Sequence, residues 1–238
     1  MLAVENLSAW YGAARILYEL TFEVGRGEVV ALMGRNGAGK STTMKAVMGL
    51  VGERDGRVRF NGEDISRLRP YEIARRGLGF TPEDRRIFSD LTVMENLDIG
   101  RQAPRVLAEG TAAPAWTPER LFTLFPNLAE MPDRLGGRMS GGEQQMLTVA
   151  RTLMGNPLLV LLDEPSEGVA PLIVEQMANT ILELKKEGLS ILLSEQNMVF
   201  AELVSDRAYI LEKGEIRWHG TMAALAADSA VQRSYLTL

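Results

Sequence analysis

The spacing of apolar positions changes several times along this chain, and each change predicts a different element. Leu2–Val4, Ile16–Val24, Glu28–Met33 and Val58–Phe60 are short segments rich in Val, Leu and Phe. Gly-containing turns at Tyr11-Gly12, Gly25-Arg26-Gly27 and Asn61-Gly62 separate them, so the first quarter is predicted to be β-rich. After Gly39 the spacing becomes helical over Lys40–Leu50, with Gly49 and Gly52 as stop signals. From Ile87 to Thr152 the pattern is mostly helical. A Pro-, Ala- and Gly-rich interruption at Ala103–Pro118 predicts a surface connection within it.

Leu158–Leu162 and Leu189–Leu193 are unbroken apolar runs, as expected of central parallel strands covered on both faces. The amphipathic segment Leu172–Glu187 joins them into a βαβ unit, which brings both strand ends to one rim of a sheet, where such folds bind ligands. Ala208–Leu211 and Glu215–Trp218 close as a hairpin through Lys213-Gly214. Met44, Met48, Met146 and Met154 fall at helical spacing and read as core filler. The expected class is α/β.

Composition narrows the chemistry. At 238 residues, 46% of them apolar, the chain can bury the core of one domain. No apolar run approaches the roughly 20 residues of a membrane-spanning helix. Met1–Trp10 lacks the basic-then-apolar order of a secretory signal, so the expected location is cytoplasmic. The 26 basic residues are scattered among 31 acidic ones, which argues against a nucleic-acid-binding face. With no cysteine and one histidine, His219, there is no material for disulfides, zinc fingers, thiol nucleophiles or a Ser-His relay. His219 reads as an uninvolved surface residue. Catalysis is left to carboxylates, Lys, hydroxyls and backbone amides.

Gly34-Arg35-Asn36-Gly37-Ala38-Gly39-Lys40-Ser41 fits the G-x-x-x-x-G-K-[ST] pattern and lies between a predicted strand and a predicted helix, as phosphate binding requires. The glycines let backbone amides curl round a β-phosphate, and the helix N-terminus adds partial positive charge. Lys40 then reaches the β- and γ-phosphates, and the Ser41 hydroxyl can hold Mg²⁺. Leu159–Leu162 followed by Asp163-Glu164 has the form of a Walker B strand. Asp163 would sit by Mg²⁺, directly or through water, and Glu164 is placed to polarise or deprotonate the water that attacks a γ-phosphate. In Met139-Ser140-Gly141-Gly142-Glu143-Gln144-Gln145, a Ser and two glycines open a helix and make a second backbone-amide anion site.

These three segments, in this order, resemble the P-loop, Walker B and signature motifs of ABC ATPases, and the resemblance covers essentially the whole chain. It implies a P-loop NTPase cassette: a RecA-like parallel-sheet core, an N-terminal antiparallel β subdomain and an inserted helical subdomain. The expected division gives residues 1–86 and 155–238 to the first two and 87–154 to the helical insert. The resemblance further implies ATP hydrolysis with ATP and Mg²⁺. Gly34 to Thr42 would bind the nucleotide, with Tyr11 stacking on adenine. Ser41, Asp163 and Glu83 would serve the metal, and Glu164, Gln196 and Lys40 the chemistry. Ser140, Gly141, Gly142 and Glu143 would complete the ATP site of a second subunit paired head to tail.

Several positions depart from the usual pattern. Met139 and Glu143 differ within the signature, and Glu83 stands where most members have the Q-loop Gln. Gln196 replaces the switch His and Ala170 the D-loop Asp. Together these departures resemble the smaller ATPase subunit of branched-chain amino acid importers, where they are the normal pattern. That likeness implies a second, paralogous or identical ATPase, two membrane permease subunits, and a solute-binding protein acting indirectly, with this chain on the cytoplasmic face; urea, short amides or another solute, or a non-transport ABC ATPase, are the alternatives. Arg85-Arg86-Ile87-Phe88, with Leu91 and Val93, mixes charge with apolar bulk as a docking surface for the membrane subunit would, or as helical packing would.

Overall fold

In the computed structural model, residues 1–106 and 113–236 are described. Two antiparallel strands, β1 (Leu2–Tyr11) and β2 (Ala14–Val24), open the chain. Both outrun or match the apolar segments that predict them. In β2 a bulge at Glu19, whose φ is +53°, shifts the alternation, so Leu17 and Leu20 both face the core although three residues apart. The fully buried β3 (Val29–Met33) leads through the Gly-rich segment into α1 (Lys40–Val47). Next come β4 (Glu53–Phe60) and the two-residue β5 (Glu63–Asp64). Sequence predicts only the end of β4, because Glu53 to Arg57 carry no apolar side chain to mark them.

Helix α2 (Pro70–Arg75) and strand β6 (Leu78–Thr81) lack a readable period because each is so short. Four helices follow: α3 (Val93–Gly100), α4 (Pro118–Leu124), α5 (Pro126–Ala129) and α6 (Gly141–Leu153). The interruption expected at Ala103–Pro118 is irregular where described, and residues 107–112 lie outside the described set. Its second half is not a surface segment: Ala113 and Trp116 are buried, and the Trp116 N–H donates to Asn156 Oδ1 at 2.7 Å. The indole supplies enough apolar area to draw the backbone inward, and Asn156 satisfies the amide that this buries.

The βαβ unit forms as predicted, from β7 (Leu159–Asp163), α7 (Pro171–Lys186) and β8 (Ser190–Glu195). Then come α8 (Met198–Val204), the antiparallel hairpin β9 (Arg207–Glu212) and β10 (Glu215–Thr221), α9 (Met222–Ala227) and α10 (Ser229–Tyr235).

Among the described residues the strands form two sheets, ordered β2-β1-β4-β5 and β10-β9-β3-β8-β7-β6. In the second, the five strands from β9 to β6 run parallel. Their register aligns Met33 with Glu195, Asp163 with Ser194, and Thr81 with Leu162. The C-terminal ends of β3, β8, β7 and β6 therefore share one rim, the place where open α/β sheets bind ligands. One apolar core joins the antiparallel sheet to α1 and β3 through Leu17, Leu20, Phe22, Leu32 and Met44. A second packs α3, α4, α6 and α7 against the other face through Leu97, Phe125, Leu147, Val160 and Ile181. Met44, Met48, Met146 and Met154 are all buried in these cores, whereas His219 is exposed on β10 with its ring 5.7 Å from that of Tyr209.

Candidate functional site

The rim gathers most of the residues singled out in the sequence. Between β3 and α1 the chain turns through Gly34, Gly37 and Gly39, at φ +153°, +78° and +112°. A Cβ at Gly34 would stand 2.4 Å from the Leu211 carbonyl oxygen, so only glycine fits there. Ala38 N–H closes the turn onto the Arg35 carbonyl at 3.1 Å, and the Ala38 carbonyl accepts from Gly214 N–H at 2.9 Å. Arg35, Asn36 and Gly37 are exposed at the loop tip, and Ser41 and Thr42 are half-buried at the start of α1.

Lys40 is almost fully buried, and its Nζ donates to the carbonyls of Gly34 at 2.8 Å and Arg35 at 3.1 Å. It also forms an ion pair with Glu164 Oε1 at 3.0 Å. This geometry places an ammonium group inside the loop, with partners that an incoming phosphate would displace.

At the end of β7, Asp163 Oδ1 accepts from Ser41 Oγ at 3.0 Å and from Ser194 Oγ at 2.6 Å. Its other oxygen, Oδ2, is buried without a hydrogen-bond partner. Burial raises the Asp163 pKa above the usual carboxylate value, against the pull of those two hydroxyls. A buried carboxylate oxygen with nothing to bind, beside a hydroxyl, fits a hard divalent cation such as Mg²⁺, which prefers oxygen ligands and retains its own waters. Among the described residues no three His, Cys, Asp or Glu side chains gather as a protein-only metal cage.

Glu164 adopts a left-handed backbone at φ +47°, strained for a residue with a Cβ. Its N–H is held by the Ser194 carbonyl and hydroxyl, both at 3.1 Å. The side chain is gripped on both sides, by Lys40 on Oε1 and by Gln196 Nε2 on Oε2 at 2.8 Å. Gln196 Nε2 also lies 3.3 Å from Glu167 Oε2. Burial works against ionisation of Glu164, but its hydrogen bonds with Glu167, Lys40 and Gln196 outweigh this and hold its pKa below the usual value. The Glu167 pKa is pushed up to about 7 by its hydrogen bond to Glu164, then by partial burial and by the charges of Glu164 and Glu83. Of the two carboxylates, Glu167 is therefore the one that binds a proton more readily.

Ser194, Glu167 and Glu195 are rim residues to which sequence reasoning gives no role. Glu195 is buried, and its carboxylate accepts from the N–H groups of Ser166, Gln196 and Asn197, fixing the segments that carry Glu167 and Gln196. The available signals were a third carboxylate three residues beyond Glu164 and a hydroxyl at the last but one position of an apolar strand. Glu83, just past β6, is exposed and acts on Glu167 through its charge. Tyr11, 51% exposed, projects from the end of β1. It is tied to the rim through β2, where Leu17 Cδ2 would meet a Cβ on Gly39 at 2.9 Å.

Ser140 caps α6, and with Glu143 it forms a capping box: Ser140 N–H donates to Glu143 Oε2 at 2.7 Å and Glu143 N–H to Ser140 Oγ at 3.4 Å. The Glu143 carboxylate is thereby turned back on its own helix. Gly142 packs against α7, where a Cβ would be 2.7 Å from Ile173 Cγ1. No hydrogen bond or ion pair links Ser140–Glu143 to Lys40, Ser41 or Asp163 among the described residues. Ser140–Glu143 and the Lys40–Ser41–Asp163 group are thus separate clusters on the chain.

A Gly-rich phosphate loop facing a Ser-Asp pair and a held glutamate at one rim of a parallel sheet defines a P-loop nucleotide-binding ATPase. Residues 17–167 match the ABC transporter family. Over 99% of both chains the protein is 41% identical to the high-affinity branched-chain amino acid transport ATP-binding protein BraG of Pseudomonas aeruginosa. It is 37% identical to the lipopolysaccharide export system ATP-binding protein LptB of Haemophilus influenzae, over 99% of this chain and 97% of that one. Among solved structures, an ABC transporter cassette in its ADP conformation superposes with a TM-score of 0.78 at 28% identity, covering 98% of this chain and 97% of the other. This chain belongs to the ABC transporter family, as one of its ATP-binding cassettes, which hydrolyse ATP to power transport. The α/β cassette fold expected from the sequence is the fold observed. No described helix is long and apolar enough to cross a membrane.

Proposed function

We propose that this chain powers an importer for branched-chain amino acids, working as one of two ATP-binding subunits docked on the cytoplasmic side of two membrane subunits. The observation that carries the catalytic reading is the convergence of Lys40, Ser41, Asp163 and Glu164 at one rim. The solute follows from the full-length likeness to the Pseudomonas protein.

In this reading Gly34 to Thr42 bind the phosphates of ATP, and Tyr11 stacks on the adenine. Ser41, Asp163 and Glu83 would hold Mg²⁺, which when bound would supply charge neutralisation at the phosphates. Lys40 exchanges Glu164 for phosphate oxygens, and this releases the Glu164 carboxylate towards the attacking water. Gln196 keeps that carboxylate oriented and can donate to the γ-phosphate, though unlike histidine it carries no proton. Ser140 to Glu143 complete the ATP site of the second subunit, so that binding closes the pair and hydrolysis reopens it. Residues 87–154 act as the helical subdomain between the ATP sites and the membrane. The docking surface is the open groove of about 580 Å³ that this subdomain shares with the preceding part of the chain, lined by Leu50, Tyr71, Phe80, Phe88, Ile99 and Arg151. Phe88 is 46% exposed there, whereas Ile87 and Val93 pack inward.

The test is reconstitution with the membrane subunits in vesicles, measuring phosphate release and uptake with the solute-binding protein. Stimulation by leucine, isoleucine or valine is the expected result. Stimulation by urea or a short amide reassigns the solute. Activity only with lipopolysaccharide export components, or recovery with soluble partners alone, overturns the importer reading.

A further inference from the structure

Arg85 and Arg86 are consecutive residues with left-handed backbones, at φ +60° and +52°. Non-glycine residues take this conformation at a cost and keep it where the surroundings hold them. Here α6 holds both: the Arg85 carbonyl accepts from Thr148 Oγ1 at 2.9 Å, and the Arg86 carbonyl from Arg151 Nη2 at 2.7 Å. The two side chains then part company. Arg86 Nε pairs with Asp84 Oδ2 at 2.7 Å, whereas the Arg85 guanidinium has no carboxylate partner among the described residues.

That guanidinium lies against Gly141, the first residue of α6 after its Ser140 cap. A Cβ on Gly141 would stand 2.7 Å from Arg85 Nη1 and 3.3 Å from Cζ, so the guanidinium packs directly on this glycine. A cation at the positive end of a helix is repelled by the helix dipole, so this placement does nothing for α6 by itself. It becomes favourable once an anion sits between them. Glu143 sharpens the point. Its carboxylate, turned back on Ser140 N–H, puts negative charge beside the amides where the family pattern has a neutral Gln, and Arg134, at 3.9 Å, is half-exposed and only partly offsets it.

We propose that Arg85 is a phosphate ligand in trans: it offsets Glu143 and binds the terminal phosphate of the ATP held by the P-loop of the second cassette. The inference rests on the head-to-tail reading given above and deepens it by naming a residue outside the signature segment. Because Arg85 also lies between β6 and α3, it links the loop that follows β6 to the state of the partner's ATP site.

The experiment compares wild type, Arg85→Ala and Arg85→Lys, both as isolated chains and in the assembled transporter. A charge-assisted hydrogen bond to phosphate corresponds to roughly tenfold or more in affinity. The expected result is wild-type binding of a fluorescent ATP analogue and unchanged melting in the isolated chain. In the complex, half-maximal phosphate release should need roughly tenfold more ATP with Ala, partly restored by Lys. Unchanged ATP dependence in the complex overturns the proposal. Equal weakening in the isolated chain and the complex assigns Arg85 to its own subunit's site or to folding, and also overturns it. Loss of the membrane subunits on purification assigns it to docking, with the same consequence. A wild-type complex that releases no phosphate marks failure of the ATPase reading itself.

Discussion

Gln196 Nε2 donates to Glu164 Oε2 at 2.8 Å, so the residue in the switch-histidine position is bonded directly to the proposed catalytic carboxylate. The same nitrogen lies 3.3 Å from Glu167, and Lys40 holds the opposite oxygen of Glu164. Glu164→Gln keeps the shape and, with its single accepting oxygen, one of the two flanking contacts, but removes the base. ATP binding should persist while turnover by the assembled complex falls by roughly 10²–10⁴, the usual contribution of a general base. Phosphate release measured beside nucleotide binding decides it, and near-normal turnover removes Glu164 from this role.

The Glu164–Glu167 pair also ties stability to pH. Glu167 has a folded-state pKa raised to about 7, so its contribution is fully present below the unfolded carboxylate value and is lost as pH rises through about 7. Glu164 is shifted the other way and favours the folded state at higher pH, which partly offsets the loss. Glu167 is largely exposed and solvent screens it, so the net effect is expected to stay within about 1 kcal/mol, or roughly 2–4 °C in melting temperature. Wild type should therefore lose its margin over Glu167→Gln between about pH 5 and 8. Melting curves of the isolated chain that run parallel across that range would refute this.

Lys40 and Glu164 form an ion pair whose side chains are 3% and 5% exposed. Removing one member of such a pair strands the other charge, at a cost of about 3–5 kcal/mol. Lys40→Ala should abolish nucleotide binding and lower stability towards that range. In Lys40→Ala/Glu164→Gln the neutral amide needs no countercharge, so part of the loss should return. Urea denaturation without nucleotide measures all four corners of the cycle, and strict additivity would show that the pair is not coupled.

The sequence marks the site best where the chain itself must supply the geometry. Gly34, Gly37, Gly39, Lys40 and Ser41 are neighbours along the chain, and their left-handed turn and helix start are written in the residue types. Asp163 and Glu164 are legible for a related reason, since they end a run of apolar residues. Ser194 and Glu167 are not, because what brings them to Asp163 and Glu164 is the pairing of β7 with β8 and the turn after β7. The short β6 escapes because four residues carry too little periodicity, although it ends just before Glu83. The buried half of 103–118 escapes for the opposite reason. A Pro- and Ala-rich segment reads as exposed until the partner of Trp116 across the fold, Asn156, is known.

Phe88 separates the two readings left open for the Arg85–Phe88 segment. It is 46% exposed at the groove, with the Arg151 guanidinium 5.1 Å from its ring centre, whereas Leu97 on α3 is fully buried in the helical core. Truncating an exposed ring leaves little cavity, so Phe88→Ala should change stability by less than about 1 kcal/mol, while Leu97→Ala should cost about 2–5 kcal/mol. If the groove receives the membrane subunit, Phe88→Ala should nevertheless reduce recovery of that subunit and uncouple ATP hydrolysis from uptake, because an aromatic anchor in a pocket carries a large share of interface energy. Co-purification and transport assays on the two variants settle the matter. A Phe88→Ala complex that assembles and transports as wild type would return Phe88 to the packing of its own helices and leave the groove without an anchor.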